Sequence, residues 1–131
     1  MEMETLLQRQ DTASRQAVAL KAFARIAAAW GLPLREAAAL ADMSESTWKR
    51  ARKPDYSGEL TRDQMLRLSA LIGLYKALEL YFDEPVSRAW VRLANRGPEF
   101  DGLRPVDAMI AGGLPKILRV RTYLDALRGG A

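Results

Sequence analysis

Between Thr61 and Phe82 the chain carries an unbroken helical pattern. Met65, Leu68, Leu71, Ile72, Leu74, Tyr75, Leu78, Tyr81 and Phe82 cover close to half the circumference at roughly 100° per residue. Thr61 followed by Gln64 has the spacing of a capping box, in which each end satisfies the other's free donor. The apolar stripe is wider than one neighbouring lobe requires. Leu71, Leu74, Tyr75 and Leu78 are therefore expected to meet a second copy of the chain across a two-fold homodimer contact.

The remaining segments also read with helical period, and none reads as a convincing strand. Ser14 can cap a helix running to Trp30, with Val18, Ala22, Ile26 and Trp30 on one side and Gly31 at its end. Pro33 stands near the start of a short helix through Leu40, where its missing N–H costs nothing. Ser44 opens a third helix through about Arg52, closed before Pro54. The polar run KPDYSGEL, residues 53–60, is the best linker. It suggests a division into residues 1–58 and 59–131. Pro85 starts a further helix with Val86, Ala89, Trp90 and Leu93. The expected fold class is all-α.

The run LREAAALADMSESTWKRARK, residues 34–53, meets the demands of a helix pair that presents its second helix. Ala38 lies where the helices cross and only a small side chain fits. Met43 and Trp48 supply the apolar contacts between them, and Ser44 caps the second helix. The turn holds Asp42 where glycine is usual, and aspartate tolerates the left-handed conformation better than most residues. These residues resemble the helix-turn-helix of Xre/Cro-type repressors. That resemblance implies DNA binding, with Ser44, Glu45 and Ser46 nearest base edges, Lys49 and Arg50 on phosphates or bases, and Arg52 on a face suited to phosphates. Residues 44–53 hold Lys49, Arg50, Arg52 and Lys53 against Glu45 alone, whereas a merely solvated face more often mixes signs. A net charge of +4 agrees with an anionic partner, although a mildly basic balance can also serve solubility.

The segment from Trp90 to Gly130 is dense in anchors: Trp90, Phe100, Gly102, Pro105, Asp107, Gly112, Gly113, Ile117, Val120, Tyr123 and Leu124. Phe100, between the turns at Gly97-Pro98 and Gly102, is expected to bury against Trp90. Pro105 begins a short helix that Gly112-Gly113 ends, and a final helix turns Ile117, Val120, Leu124 and Leu127 inward. Its other side carries Lys116, Arg119, Tyr123 and Arg128, which on residues alone reads equally as a solvated face or a partner surface. In this order the anchors resemble the C-terminal toxin-binding domain of Xre/MbcA/ParS-type antitoxins.

The two resemblances together span nearly the whole chain. They imply a type II antitoxin: an Xre-like helix-turn-helix lobe, a long helix and a small helical toxin-binding domain. They imply as partners a cognate toxin and operator DNA. The toxin is expected to be of the NAD-consuming RES-domain kind. Arg119, Tyr123, Arg128, Gly129 and Gly130 would face it, and a basic surface from Arg119 to Arg128 would suit a cleft that handles an anionic dinucleotide. A stand-alone dimeric helix-turn-helix regulator with no toxin is the competing expectation.

An enzyme is disfavoured. The 131 residues contain no histidine and no cysteine, which removes the commonest general base, the commonest metal ligand and any thiolate. No paired-carboxylate, Ser/Lys or phosphate-cradling glycine pattern appears, so no catalytic residue, metal or cofactor is expected. The first eleven residues are acidic and polar, unlike a signal peptide. No stretch approaches the roughly 20 apolar residues of a membrane span, and a cytoplasmic protein is expected.

Overall fold

The computed structural model describes residues 2–129, and of Arg128 the backbone only. Among the described residues every regular element is helical: α1 (Glu2–Ala29), α2 (Leu34–Leu40), α3 (Glu45–Ala51), α4 (Arg62–Tyr81), α5 (Val86–Ala89), a 3-10 turn (Trp90–Arg92) and α6 (Pro105–Arg128).

α1 begins twelve residues before the expected cap at Ser14, which lies inside it. Nothing between Glu2 and Ser14 breaks a helix, and Glu2 and Glu4 complement the positive end of the helix dipole in its first turn. The buried face is Ala19, Leu20, Phe23, Ile26 and Ala27, followed by Trp30. Val18, expected on that face, is 69% exposed. Gly31 then takes φ 68°, the left-handed conformation that ends a helix without a Cβ penalty.

α2 and α3 form the expected pair. Ala38 is buried where they meet, and the Met43 amide donates to its carbonyl at 2.9 Å. Asp42 adopts φ 57°, so the turn keeps its left-handed geometry without glycine. Trp48 is buried against Phe23 of α1, ring centroids 5.3 Å apart, which fixes α3 on the core. The capping box of α4 is present: the Gln64 amide donates to Thr61 Oγ1 at 3.0 Å and the Thr61 amide to Gln64 Oε1 at 2.9 Å. Gln64 Nε2 also donates to the Asp42 carbonyl at 3.0 Å. One side chain thus starts α4 and braces the turn.

α4 is the central element. It packs on α1 and on α6, and Leu68, Leu71, Leu74 and Leu78 have no exposed surface. The wide stripe is therefore accounted for by two neighbours within one chain. This corrects the expected dimer contact: Leu71, Leu74 and Leu78 are closed inside their own chain. Tyr75 packs on Trp30 at 6.1 Å. Its hydroxyl bonds Glu79, which raises the Tyr75 pKa and lowers that of Glu79. Each fully buried leucine contributes roughly 1.5–3 kcal/mol over leaving it exposed.

After α5, Arg92 Nε donates to the Trp30 carbonyl at 2.6 Å and so caps the end of α1. α6 consists of two helical limbs that meet at Gly113, whose φ 64° and ψ −156° lie in a region almost confined to glycine. The expected break at Gly112-Gly113 is present, between a first limb starting at Pro105 and a second limb reaching Arg128. Ile117, Val120 and Leu124 of the second limb are fully buried and Leu127 partly so.

The two halves share one buried cluster. Glu36 of α2 is 5% exposed, and its Oε2 accepts from Arg104 Nη2 at 2.8 Å. Arg104 also grips Asp107 through two hydrogen bonds of 2.8 and 2.9 Å. The Asp107 carboxylate is held below its ordinary range by the Arg104 bond, and the guanidinium is held firmly charged by Asp107 and Glu36. Glu36 Oε1 has no hydrogen-bond partner, and the carboxylate is held by the Arg104 hydrogen bond with a longer ion pair to the exposed Arg35 at 3.7 Å.

Candidate functional site

Two surfaces present clustered polar chemistry. The first is the outer face of α3. Ser44 Oγ accepts from the Thr47 amide at 3.1 Å and so caps the helix. The same oxygen donates to Thr47 Oγ1 at 2.9 Å and lies 3.2 Å from Ser46 Oγ. Arg50 Nη2 donates to Thr47 Oγ1 at 3.4 Å. Ser44, Glu45, Ser46, Lys49, Arg50 and Arg52 are all exposed, while Trp48 and Ala51 hold the opposite face inward. The six expected side chains thus line one helix of about two turns, with hydroxyls at its start and cations toward its end.

The sequence reading missed Lys21 and Arg25 of α1. They line a groove of about 400 Å³ together with Arg52, Lys53, Leu20, Ala24, Ala51, Pro54 and Tyr56. Among the described residues no ion pair involves Lys21, Arg25, Arg52 or Lys53. A signal was available: Lys21 and Arg25 stand at i and i+4, where like charges repel and an unhelped helix avoids them. The misplaced inward line of α1 hid it.

The second surface is the outer side of the second limb of α6. Tyr123 is half-buried, its ring 5.5 Å from Phe100, which in turn stands 5.4 Å from Trp90, both pairs edge-to-face at 84°. The expected Trp90–Phe100 contact is present, and Tyr123 extends it to the surface. Arg119 and Tyr123 share a shallow depression of about 330 Å³ with Glu99, Leu118, Thr122 and Ala126. Leu118 is 45% exposed beside them. Glu99 Oε1 accepts from Lys116 Nζ at 3.1 Å and from Arg119 Nε at 3.3 Å, and the Glu99 carbonyl accepts from Lys116 at 2.9 Å. The Lys116 hydrogen bond, aided by Arg119, holds the Glu99 carboxylate below its ordinary range.

Lys116 and Arg119 share the single carboxylate of Glu99, so the patch keeps a net positive charge around an apolar centre. Gly129 is no free tail, since its amide donates to the Asp125 carbonyl at 3.0 Å and it caps α6 in a right-handed conformation. The Arg128 side chain and Gly130, also expected here, lie outside the described residues. Leu118, Thr122 and Ala126 were missed, because neither exposed apolar nor small residues stand out in a helical pattern, and Glu99 because it lies in the loop before α6, where no period links it to its partners.

Residues 9–73 match the model of the antitoxin Xre-like helix-turn-helix domain. Residues 77–130 match that of the antitoxin Xre/MbcA/ParS C-terminal toxin-binding domain. A relative from Sinorhizobium fredii (strain NBRC 101917 / NGR234), described as "Uncharacterized protein y4oB", is 39% identical over 116 residues, covering 85% of this chain and 84% of that protein. No solved structure matches the chain.

Proposed function

This chain belongs to the Xre/MbcA/ParS antitoxin family, and from that premise we propose that it neutralises a toxin by seating the second limb of α6 over the toxin's active-site cleft. The observation that carries this reading is the depression formed by Leu118, Arg119, Thr122, Tyr123 and Ala126. Its apolar centre, its tyrosine rooted on Phe100 and its guanidinium match the residue types that dominate interface energy. The toxin we propose is of the RES-domain, NAD-consuming kind. Lys116 and Arg119 against Glu99 alone leave this surface net positive, which suits a cleft built to handle an anionic dinucleotide. The setting is the cytoplasm.

The test uses the intact chain. A fragment starting near Thr61 would strip α1 from α4 and Glu36 from Arg104, so its failure would report only unfolding. A full-length Leu118→Arg variant adds charge and bulk to an exposed position. It should lose toxin rescue and binding while its thermal midpoint stays near that of the wild type. Rescue and affinity equal to wild type would overturn the interface.

We further propose autoregulation. Ser44, Glu45 and Ser46 would meet base edges, with Lys49, Arg50 and Arg52 on phosphates, in a homodimer reading an inverted repeat with half-sites about 34 Å apart. The support is the unpaired positive charge at the end of α3. With α4 enclosed, the contact between copies is assigned to exposed α1, where Met3, Leu6 and Leu7 are each more than half exposed. Binding of the chain's own promoter, measured across salt concentrations, checks this. A chain that binds its promoter yet copurifies with no toxin would instead be a stand-alone regulator.

A further inference from the structure

We infer that α1, a helix outside the two-helix DNA-reading motif, carries a phosphate clamp: Lys21 and Arg25 act with Arg52 and Lys53 to hold the sugar-phosphate backbone beside the groove that α3 enters. The inference rests on the operator reading above and extends it from Arg52 to Lys21, Arg25 and Lys53, which no part of that reading includes.

Three observations carry it. First, the four cations line one groove between α1 and the end of α3, although 27 residues separate Arg25 from Arg52 in the chain. Secondly, among the described residues none of the four has a carboxylate partner, whereas Arg67, Arg88, Arg104, Lys116 and Arg119 each rest on at least one. Like charges gathered without counter-ions cost folding energy, and an anionic ligand recovers it. Thirdly, the groove opens at the C-terminal end of α3, where Arg52 and Lys53 follow the helix. A helix in a major groove about 12 Å wide has a phosphate strand on either flank. The floor of Leu20, Ala24 and Ala51 offers no hydrogen bond to a base, so the groove suits a backbone rather than a sequence.

The clamp predicts binding energy without sequence information. Lys21→Gln with Arg25→Gln should weaken promoter binding roughly 10- to 100-fold at 0.1 M salt and reduce the slope of log affinity against log salt by about 1.8, since each phosphate contact contributes about 0.9. The ratio of promoter to random-duplex affinity should stay unchanged. Fluorescence anisotropy with both duplexes over a salt series reads all three, and far-ultraviolet circular dichroism checks that the exposed substitutions leave the fold intact. A variant with the wild-type slope and affinity would overturn the clamp while leaving the operator reading standing. A changed ratio with an unchanged slope would also overturn it. A wild type that binds no duplex at any salt would remove the operator reading and the clamp together, and Lys21→Gln, Arg25→Gln chains that still rescue from toxin would leave the antitoxin role untouched.

Discussion

α3 and the second limb of α6 are built alike and finished differently. Each buries one face through aromatic contacts, Trp48 on Phe23 in one and Tyr123 on Phe100 in the other. Around α3 the cations stand without carboxylates and the centre is hydroxylic. Around α6 they are tied to Glu99 and the centre is Leu118 and Ala126. Unpaired charge favours a polyanion, from which counter-ions are released on binding. Paired charge around an apolar patch favours a protein surface, where an unpaired buried charge would be costly. The family matches divide along the same line.

The largest effect is expected where the α6 surface is rooted. Phe100 is 1% exposed between Trp90 and Tyr123. Phe100→Ala should cost about 3–5 kcal/mol of stability, read by denaturant unfolding in one transition, because one core serves both halves. Two transitions would break the picture of a shared core. Next is Leu118→Arg, which should weaken toxin binding by roughly 2 kcal/mol or more, the scale of an interface hot spot, and leave promoter binding alone. Calorimetry on the purified pair measures the first and anisotropy the second. If both change, the two surfaces are not separate. Arg50→Ala is the counterpart on α3. It should weaken binding to promoter and random duplex alike, lower the slope of log affinity against log salt by about 0.9, and change nothing toward the toxin.

The smallest effect is acid sensitivity. Glu99 and Asp107 have lowered pKa values when folded, through bonds from Lys116 and Arg104 respectively. Their contribution is full above the ordinary carboxylate range near pH 4 and is lost as the pH falls through the lowered values. Both groups are largely solvent-screened, so the loss is modest. Glu99→Gln should flatten the stability profile at that acidic end; an unaltered profile would show that Glu99 is held by solvent alone.

What was legible in the sequence was local. The caps at Ser44 and Thr61, the left-handed turn at Asp42 and the break at Gly113 each depend on a few adjacent residues, and each is where the pattern put it. The long reach of the fold was not legible. Helical period gives the width of the α4 stripe but not what covers it, so two neighbours in one chain look the same as one neighbour and a second copy. On α1, an alanine-rich sequence fits several inward faces, and the one chosen exposed Val18 and hid Lys21 and Arg25. The Glu36–Arg104 pair spans 68 residues, and no spacing rule joins residues so far apart. Of the site residues, those on α3 were found because capping and charge mark them. The apolar half of the α6 patch carries no such mark.

The same pair bears on how chains of this kind can be recombined. Exchanging the DNA-facing half of one protein for that of another is a natural way to rewire which promoter it controls. Here a cut in the 53–60 connection would separate Glu36 from Arg104. A donor half with glutamate at that place, joined to a recipient without the arginine, would bury a carboxylate that has lost its hydrogen-bonding partner and keeps only the longer pair to the exposed Arg35, and the hybrid would be destabilised before either surface met its target. The two positions must travel together, so the unit of exchange in this fold is larger than either of its functional halves.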